Sequence, residues 1–390
     1  MLYTIGALSL VFGLIISIAL HEYGHMAFAQ RYKVKVIEFM VGFGPILYSR
    51  VNKKGVKVGV RAIPLGGFIR MAGMFPPQSK LYSAEESLNL SEGELEFYKI
   101  HPIKKIVIMF AGPAANLFLS FIFLAIAILL VGIPTPSSTI AELPNCLPQV
   151  SKDSLCETPP SKEAGLVKGD KILSINNEKI NKWEDLVVSL DKNRGAKVPI
   201  EFERANEVIT SNVVIAEINE QGYLGIRPKI EYKPGTVTSV LTANYNLATL
   251  SFSAIKRFPE KIVEVTKVVF TDKKRDPEGP IGVVGLTRIS GEIASSEEVV
   301  RDKILSLLLL LAGLNMSLFI FNLLPLVPLD GGNAFMAFLE LLKRPFKGRG
   351  SKSYYFDPAK SLFITYIVAA ILLGTSFLLF IADIFKPINL

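Results

Sequence analysis

At 390 residues, with 50% hydrophobic residues and a mean hydropathy of +0.38, the chain is too apolar for an ordinary soluble enzyme and long enough for a membrane body plus one soluble domain. Its formal charge of +8 comes without an aromatic-interleaved basic patch, which argues against a nucleic-acid partner and leaves membrane orientation and attraction to anionic headgroups as the reading.

The first apolar run, Leu2 to Ala29, has neither a basic leader nor a small-residue cleavage site, so it is taken as a retained spanning helix. It closes on His21-Glu22-Tyr23-Gly24-His25. Residues four apart share a helix face, so His21 and His25 can offer two imidazoles to one metal, with Glu22 beside them as general base for a metal-activated water. Ionisable groups near the bilayer centre cost at least about 2.5–3.5 kcal/mol, which makes an accidental match the weaker reading. The segment from Lys35 to Met71 alternates apolar and polar residues between glycines and suits a β-hairpin. Either it dips into the membrane and offers an edge to an extended substrate strand, or it is an ordinary cytoplasmic hairpin.

A second span runs from Ile103 to Ile133, and from about Ile140 to Pro228 the composition turns soluble. Strands are predicted at Lys171 to Ile175, Val198 to Phe202 and Val208 to Ile215, with a helix over Trp183 to Leu190. Cys146 and Cys156 fall in this stretch and are either a disulfide or two free thiols. From Asn244 to Phe270, Phe252, Ile255, Ile262, Val265 and Val269 recur at helical spacing, predicting an amphipathic helix that tethers to the outer leaflet or packs on the protein.

The third span, Ile304 to Leu329, ends in Asn322-Leu323-Leu324-Pro325-Leu326-Val327-Pro328-Leu329-Asp330, and the fourth runs from Ser361 to Ile384. The two prolines prevent a regular helix, which is tolerated at membrane depth only where backbone lines a cavity or is buried in protein. The first and third of four antiparallel spans run the same way, so Asp330 arrives on the same side as the histidines and is the expected third metal ligand; the alternative is a helix-capping aspartate. Lys and Arg crowd the short loops between spans one and two and between three and four, which places those loops in the cytoplasm and both termini outside. Helix parity then places the long middle segment outside.

The expected architecture is an α-helical membrane protein with about four transmembrane helices, a cytoplasmic-side membrane-associated β-hairpin and one inserted extracytoplasmic α+β domain. Residues 1–136 and 302–390 form the membrane core in two parts, 137–230 the inserted domain, and 231–301 a connector.

Taken together, HEYGH, Val41-Gly42-Phe43-Gly44-Pro45, Pro64-Leu65-Gly66-Gly67-Phe68, Ala111-Gly112-Pro113-Ala114-Ala115-Asn116, Gly279-Pro280-Ile281-Gly282 and the segment ending in Asp330-Gly331-Gly332 resemble the site-2 protease family of intramembrane zinc metallopeptidases. The likeness is particularly to the bacterial regulators of intramembrane proteolysis that carry one PDZ domain. Residues Ser161 to Asn176 look like a bacterial PDZ block, with Gly169-Asp170 turning into a strand. The resemblance implies that His21, His25 and Asp330 hold Zn2+, that Glu22 is general base and acid, and that Asn116 and Asn322 line the cleft and place the substrate backbone. It implies peptide binding by the inserted domain through Tyr223-Leu224-Gly225-Ile226, as PDZ domains bind tails by strand addition. Asn333 departs from the pattern, standing where many relatives have histidine. The function so implied is cleavage, in the inner (cytoplasmic) membrane, of single-pass substrates such as trimmed anti-sigma factors or signal-peptide remnants. An inactive PDZ adaptor in the bilayer is the principal alternative, and a metal transporter is weaker because no internal repeat is present.

Overall fold

The computed structural model describes residues 1–83, 90–147, 157–271, 273–343 and 357–388. Its helices are α1 (Leu2–Arg31), α2 (Pro102–Ala125), α3 (Pro160–Glu163), α4 (Trp183–Lys192), α5 (Val237–Val269), α6 (Val283–Ser295), α7 (Val300–Asn322), α8 (Asp330–Lys343) and α9 (Leu362–Phe385). Its strands are β1 (Val36–Val51), β2 (Lys57–Met71), β3 (Ile133–Glu142), β4 (Lys171–Ile175), β5 (Glu178–Lys179), β6 (Lys197–Arg204), β7 (Glu207–Val214), β8 (Ala216–Ile218), β9 (Gln221–Tyr223) and β10 (Arg227–Lys233). The chain divides into two compact units, one of residues 1–131 with 236–390 and one of residues 132–235.

In the first unit, four helical segments are long and apolar enough to cross a membrane: Leu2–Arg31, Pro102–Val131, Val300–Asn322 and Pro358–Phe385. Along α1 the buried positions Gly6, Leu10, Gly13, Ser17, His21, His25 and Ala29 recur at intervals of three and four, a seam of mostly small residues that lets neighbouring helices come close. At its top, Ser290 on α6 donates to Gly6 O at 2.7 Å; lower down, a Cβ on Gly13 would come within 2.6 Å of the Leu311 side chain. α2 starts with Pro102 at its first turn and passes into a π-helical turn over Ile126–Val131. α7 stops at Asn322, as the prolines predict, and the chain turns through Leu323 to Leu329 before α8. β1 and β2 form a two-stranded antiparallel sheet packed by its buried residues against the lower part of α1.

The sequence leaves the amphipathic segment as tether or packing helix. In the structure α5 starts at Val237, is capped by Thr236, and packs on α2, α7 and α9, with Val240 and Val265 in the shared clusters, while Phe252 on its other side is 51% exposed. α6 has no counterpart in the sequence reading; its apolar residues lie beside the Gly-Pro-Ile-Gly segment, and it packs along α1. Arg275 and Asp383 form a buried ion pair at 2.8 Å, and Gly285 N–H donates to the same carboxylate at 2.8 Å, tying this connector to α9.

The second unit is built on a sheet of order β10-β3-β4-β6-β7, with β5 pairing β4, plus a separate β8–β9 hairpin. Val198, Ile200 and Phe202 on β6 are buried at period two and face Ile172, Ile175 and Leu186 in one core. β4 lies where the sequence predicts it, and β6, β7 and α4 differ from prediction by one or two residues at their ends. β3 was not predicted, since Pro134 and Pro136 mask it, and neither was β10; they pair antiparallel from Ile133↔Lys233 to Arg227↔Glu142 and close the unit at its two chain ends. Asp170, at the turn into β4, accepts two hydrogen bonds from Arg204 and one from Val167 N–H, all at 2.8 Å. No free cysteine occurs among the described residues; Cys146 lies among them and Cys156 lies outside them.

Candidate metal centre

The helical spacing of α1 puts His21 and His25 on its buried seam, and the first residue of α8 brings Asp330 to them. Asp330 Oδ2 lies 3.0 Å from His21 Nε2 and 3.3 Å from His25 Nε2, and the two Nε2 atoms are 3.2 Å apart. The imidazoles meet edge to face, 4.9 Å between centroids. Asp330 stands at a helix N-terminus, where a carboxylate is favoured by the exposed N–H groups. Two glycines after it permit the approach: a Cβ on Gly331 or Gly332 would run into the backbone of Leu323 to Val327.

α2 supports both histidines from behind. Ile108 O lies 2.7 Å from His25 Nδ1, so that nitrogen carries the proton and Nε2 presents its lone pair to the centre. Gly112 lets α2 lie against the same ring, since a Cβ there would fall 2.6 Å from His25 Cε1 and 2.7 Å from Cδ2. Asn116 is 1% exposed, with its side-chain amide 3.2 Å from His21 Nδ1. The resemblance implies a cleft-lining Asn116; the geometry sets it behind the His21 ring. Asn322 donates to Leu318 O of its own helix at 3.0 Å, and no hydrogen bond among the described residues joins it to the histidines or Asp330. Glu22, 9% exposed, lies against β2, where a Cβ on Gly67 would come within 2.8 Å of its Cγ.

This donor set fits zinc. Ligand atoms about 2.0–2.1 Å from a tetrahedral centre stand about 3.3 Å from one another, and the three edges here are 3.0, 3.2 and 3.3 Å. Asp330 Oδ2 is buried without a hydrogen-bond donor, facing imidazole nitrogens of which at least that of His25 offers a lone pair. Such atoms repel unless a cation or a proton lies between them. Three protein donors of type His2Asp also leave room for a fourth, as a hydrolytic zinc requires.

The sequence reading did not single out Ile108 O, which has no signal of its own because a carbonyl belongs to every residue. Gly112 was visible within Ala111-Gly112-Pro113, but its role as a floor for the His25 ring was not.

Helices fit to cross a membrane that carry an HExxH pair and a converging aspartate define a membrane-embedded zinc metallopeptidase. Comparison with known proteins agrees: residues 9–364 match peptidase family M50, the site-2 proteases, and the chain belongs to that family. It is 29% identical to zinc metalloprotease Rip1 of Mycobacterium tuberculosis and 28% identical to Rip1 of Mycolicibacterium smegmatis, in both cases over 100% of each chain. It is 24% identical to the regulator of sigma-W protease RasP of Bacillus subtilis, over 87% of this chain and 90% of that one. The protein is a zinc metalloprotease.

Proposed function

We propose that the protein cuts the transmembrane segments of single-pass membrane proteins, such as trimmed anti-sigma factors or signal-peptide remnants, with His21, His25 and Asp330 as zinc ligands. The observation that carries this reading is the triangle of three buried donor atoms with edges of 3.0–3.3 Å beside Glu22. His21, His25 and Asp330 would hold the zinc, which when bound would supply Lewis-acid polarisation of a carbonyl and acidify a water. Glu22 takes a proton from the attacking water and returns it to the leaving amine. Ile108 O holds His25 in the tautomer that binds metal; Asn116 Nδ2 lies 3.2 Å from His21 Nδ1, and with the amide flipped to present Oδ1 it would do the same for His21. β2 passes Glu22 at Gly67, so an extended substrate added to an edge of the β1–β2 sheet comes alongside the base with its carbonyls presented. The relative named for a sigma factor supports the anti-sigma substrate class.

The 132–235 unit is proposed to be a PDZ domain on the extracytoplasmic side that binds substrate tails. A cavity of about 500 Å3 lined by Trp183, Val187, Leu190, Tyr223, Leu224 and Ile226 supports this. The membrane is proposed to be the cytoplasmic one, with both termini outside, on the strength of the loop charges. An inactive adaptor is the less supported reading, because Glu22 and all three donors are retained and brought together. Reconstituting wild type and Glu22→Gln with a single-pass substrate in vesicles tests the proposal. The variant is expected to keep zinc and lose cleavage, since an amide cannot carry the proton; equal cleavage by both ends the protease mechanism as written.

A further inference from the structure

One face of α2 carries more than the contacts to the histidines. Lys105, Ile108, Gly112 and Asn116 fall at intervals of three and four and so line a single stripe. Ile108 and Gly112 hold His25, and Asn116 meets His21. Lys105, one turn before Ile108, instead crosses to α8, where its Nζ lies 2.9 Å from both Glu340 Oε1 and Oε2. Lys105 and Glu340 are 4% and 2% exposed. α8 is the helix that begins with Asp330. Ten residues separate Asp330 from Glu340, about 15 Å of helix, and eleven separate Lys105 from Asn116, about 16 Å. The two helices are thus tied directly by the ion pair at one end and, at the other, through the α1 histidines that α2 supports and Asp330 faces.

Between those points Met109 and Ala334 are buried in one apolar cluster, and apolar contact is non-directional. A cavity of about 180 Å3 also runs beside α8 along Asn333, Met336, Ala337 and Glu340 and beside the preceding Val327–Pro328, so close packing does not hold that side. An ammonium centred between two carboxylate oxygens does resist axial slip. As a stability device a buried ion pair is weak, because desolvation offsets most of the attraction, and its attested use is to specify position.

We propose that the Lys105–Glu340 pair is a positioning strut for the metal centre: it sets α8 against α2 and so places Asp330 Oδ2 relative to the two imidazoles. This rests on the reading of His21, His25 and Asp330 as zinc ligands. Metal sites need ligand positions correct to about 0.2 Å, so a slip too small to unfold the protein still releases metal.

The test uses the full-length protein in detergent, Zn2+ titrated against a chromophoric chelator, and thermal unfolding of the zinc-free form. Lys105→Met and Glu340→Gln are expected to weaken zinc by about 10- to 100-fold, the usual effect of removing an outer support of a metal site, while Lys105→Arg stays close to wild type. The double variant Lys105→Met/Glu340→Met removes both charges of the pair; it is expected to remain folded in the thermal melt yet weakened in zinc. Wild-type zinc affinity in the double variant overturns the strut and leaves the pair a stability element only. Should the single variants not fold, the double variant alone decides. Asp330→Asn in the same titration separates the two claims. Unchanged affinity there overturns the ligand reading, whereas loss there with wild-type affinity in the double variant overturns the strut alone.

Discussion

Gly112→Ala places one methyl group where α2 meets the His25 ring. The added Cβ would stand 2.6 Å from Cε1 and 2.7 Å from Cδ2. His25 Nε2 lies nearer still, and carbon atoms rest at about 3.5 Å or more, so ring or helix has to give by about 0.9 Å or more. The ring is held on its far nitrogen by Ile108 O at 2.7 Å, and a metal ligand tolerates about 0.2 Å, so a shift of this size breaks either the supporting hydrogen bond or the ligand geometry. Zinc affinity is expected to fall by about 10- to 100-fold, with cleavage falling alongside. The fold is expected to survive, because alanine favours the helix by up to about 1 kcal/mol over glycine, against about 1–3 kcal/mol for local overpacking. Chelator titration of the detergent-solubilised protein, run beside a thermal melt followed by circular dichroism, separates the two effects. Wild-type zinc affinity in a folded Gly112→Ala protein would refute the claim that α2 fixes the ring.

Three further outcomes are expected. Cys146 and Cys156 are expected to be joined, closing a short loop whose gain reaches at most about 3 kcal/mol; alkylation of both thiols without reductant, in protein from an oxidising compartment, refutes the bridge. In the 132–235 unit, burial pushes the Asp170 carboxyl up, but Arg204 and the Val167 N–H outweigh it and hold it below its ordinary 3.8. The folded form therefore binds that proton less readily than the unfolded chain, so the pair's stabilisation is present above about pH 4 and is lost as pH falls through the lowered value. Arg204→Met is expected to move acid unfolding to higher pH, read from the emission of Trp183, the only tryptophan; an unchanged midpoint counts against the pair. Finally, Ile133 and Lys233 are paired across β3 and β10, so residues 133–233 can be replaced by a short flexible linker. On the reading that this extracytoplasmic domain screens out bulky untrimmed substrates, cleavage of a pre-trimmed substrate is expected to persist and some cleavage of the untrimmed one to appear; loss of the former by a folded, zinc-loaded variant would show that the domain presents substrate instead.

Much of this protein was legible in its residues. Four apolar windows and the lysine-rich loops announce a membrane body, because length and hydropathy are local properties. His21, Glu22 and His25 announce a metal because helical spacing is local too, and Asp330 follows from helix parity and a proline-broken end. Other features depended on chain segments far apart in sequence. β3 was hidden by its prolines and is a strand because β10, some ninety residues on, pairs with it. α6 is amphipathic but has no counterpart in the sequence reading, and it packs along α1 in the structure. The carbonyl of Ile108, the bare Cα of Gly112 and the turn of Asn116 toward His21 acquire meaning only where α2 crosses α1. Lys105 and Glu340 are 235 positions apart, and nothing in either segment alone says that two charges in apolar surroundings neutralise each other. Periodicity and composition determined which residues could serve a zinc site; packing between helices decided which ones hold the ligands still, since burial and hydrogen-bond partners are properties of the assembled core and not of any stretch of chain.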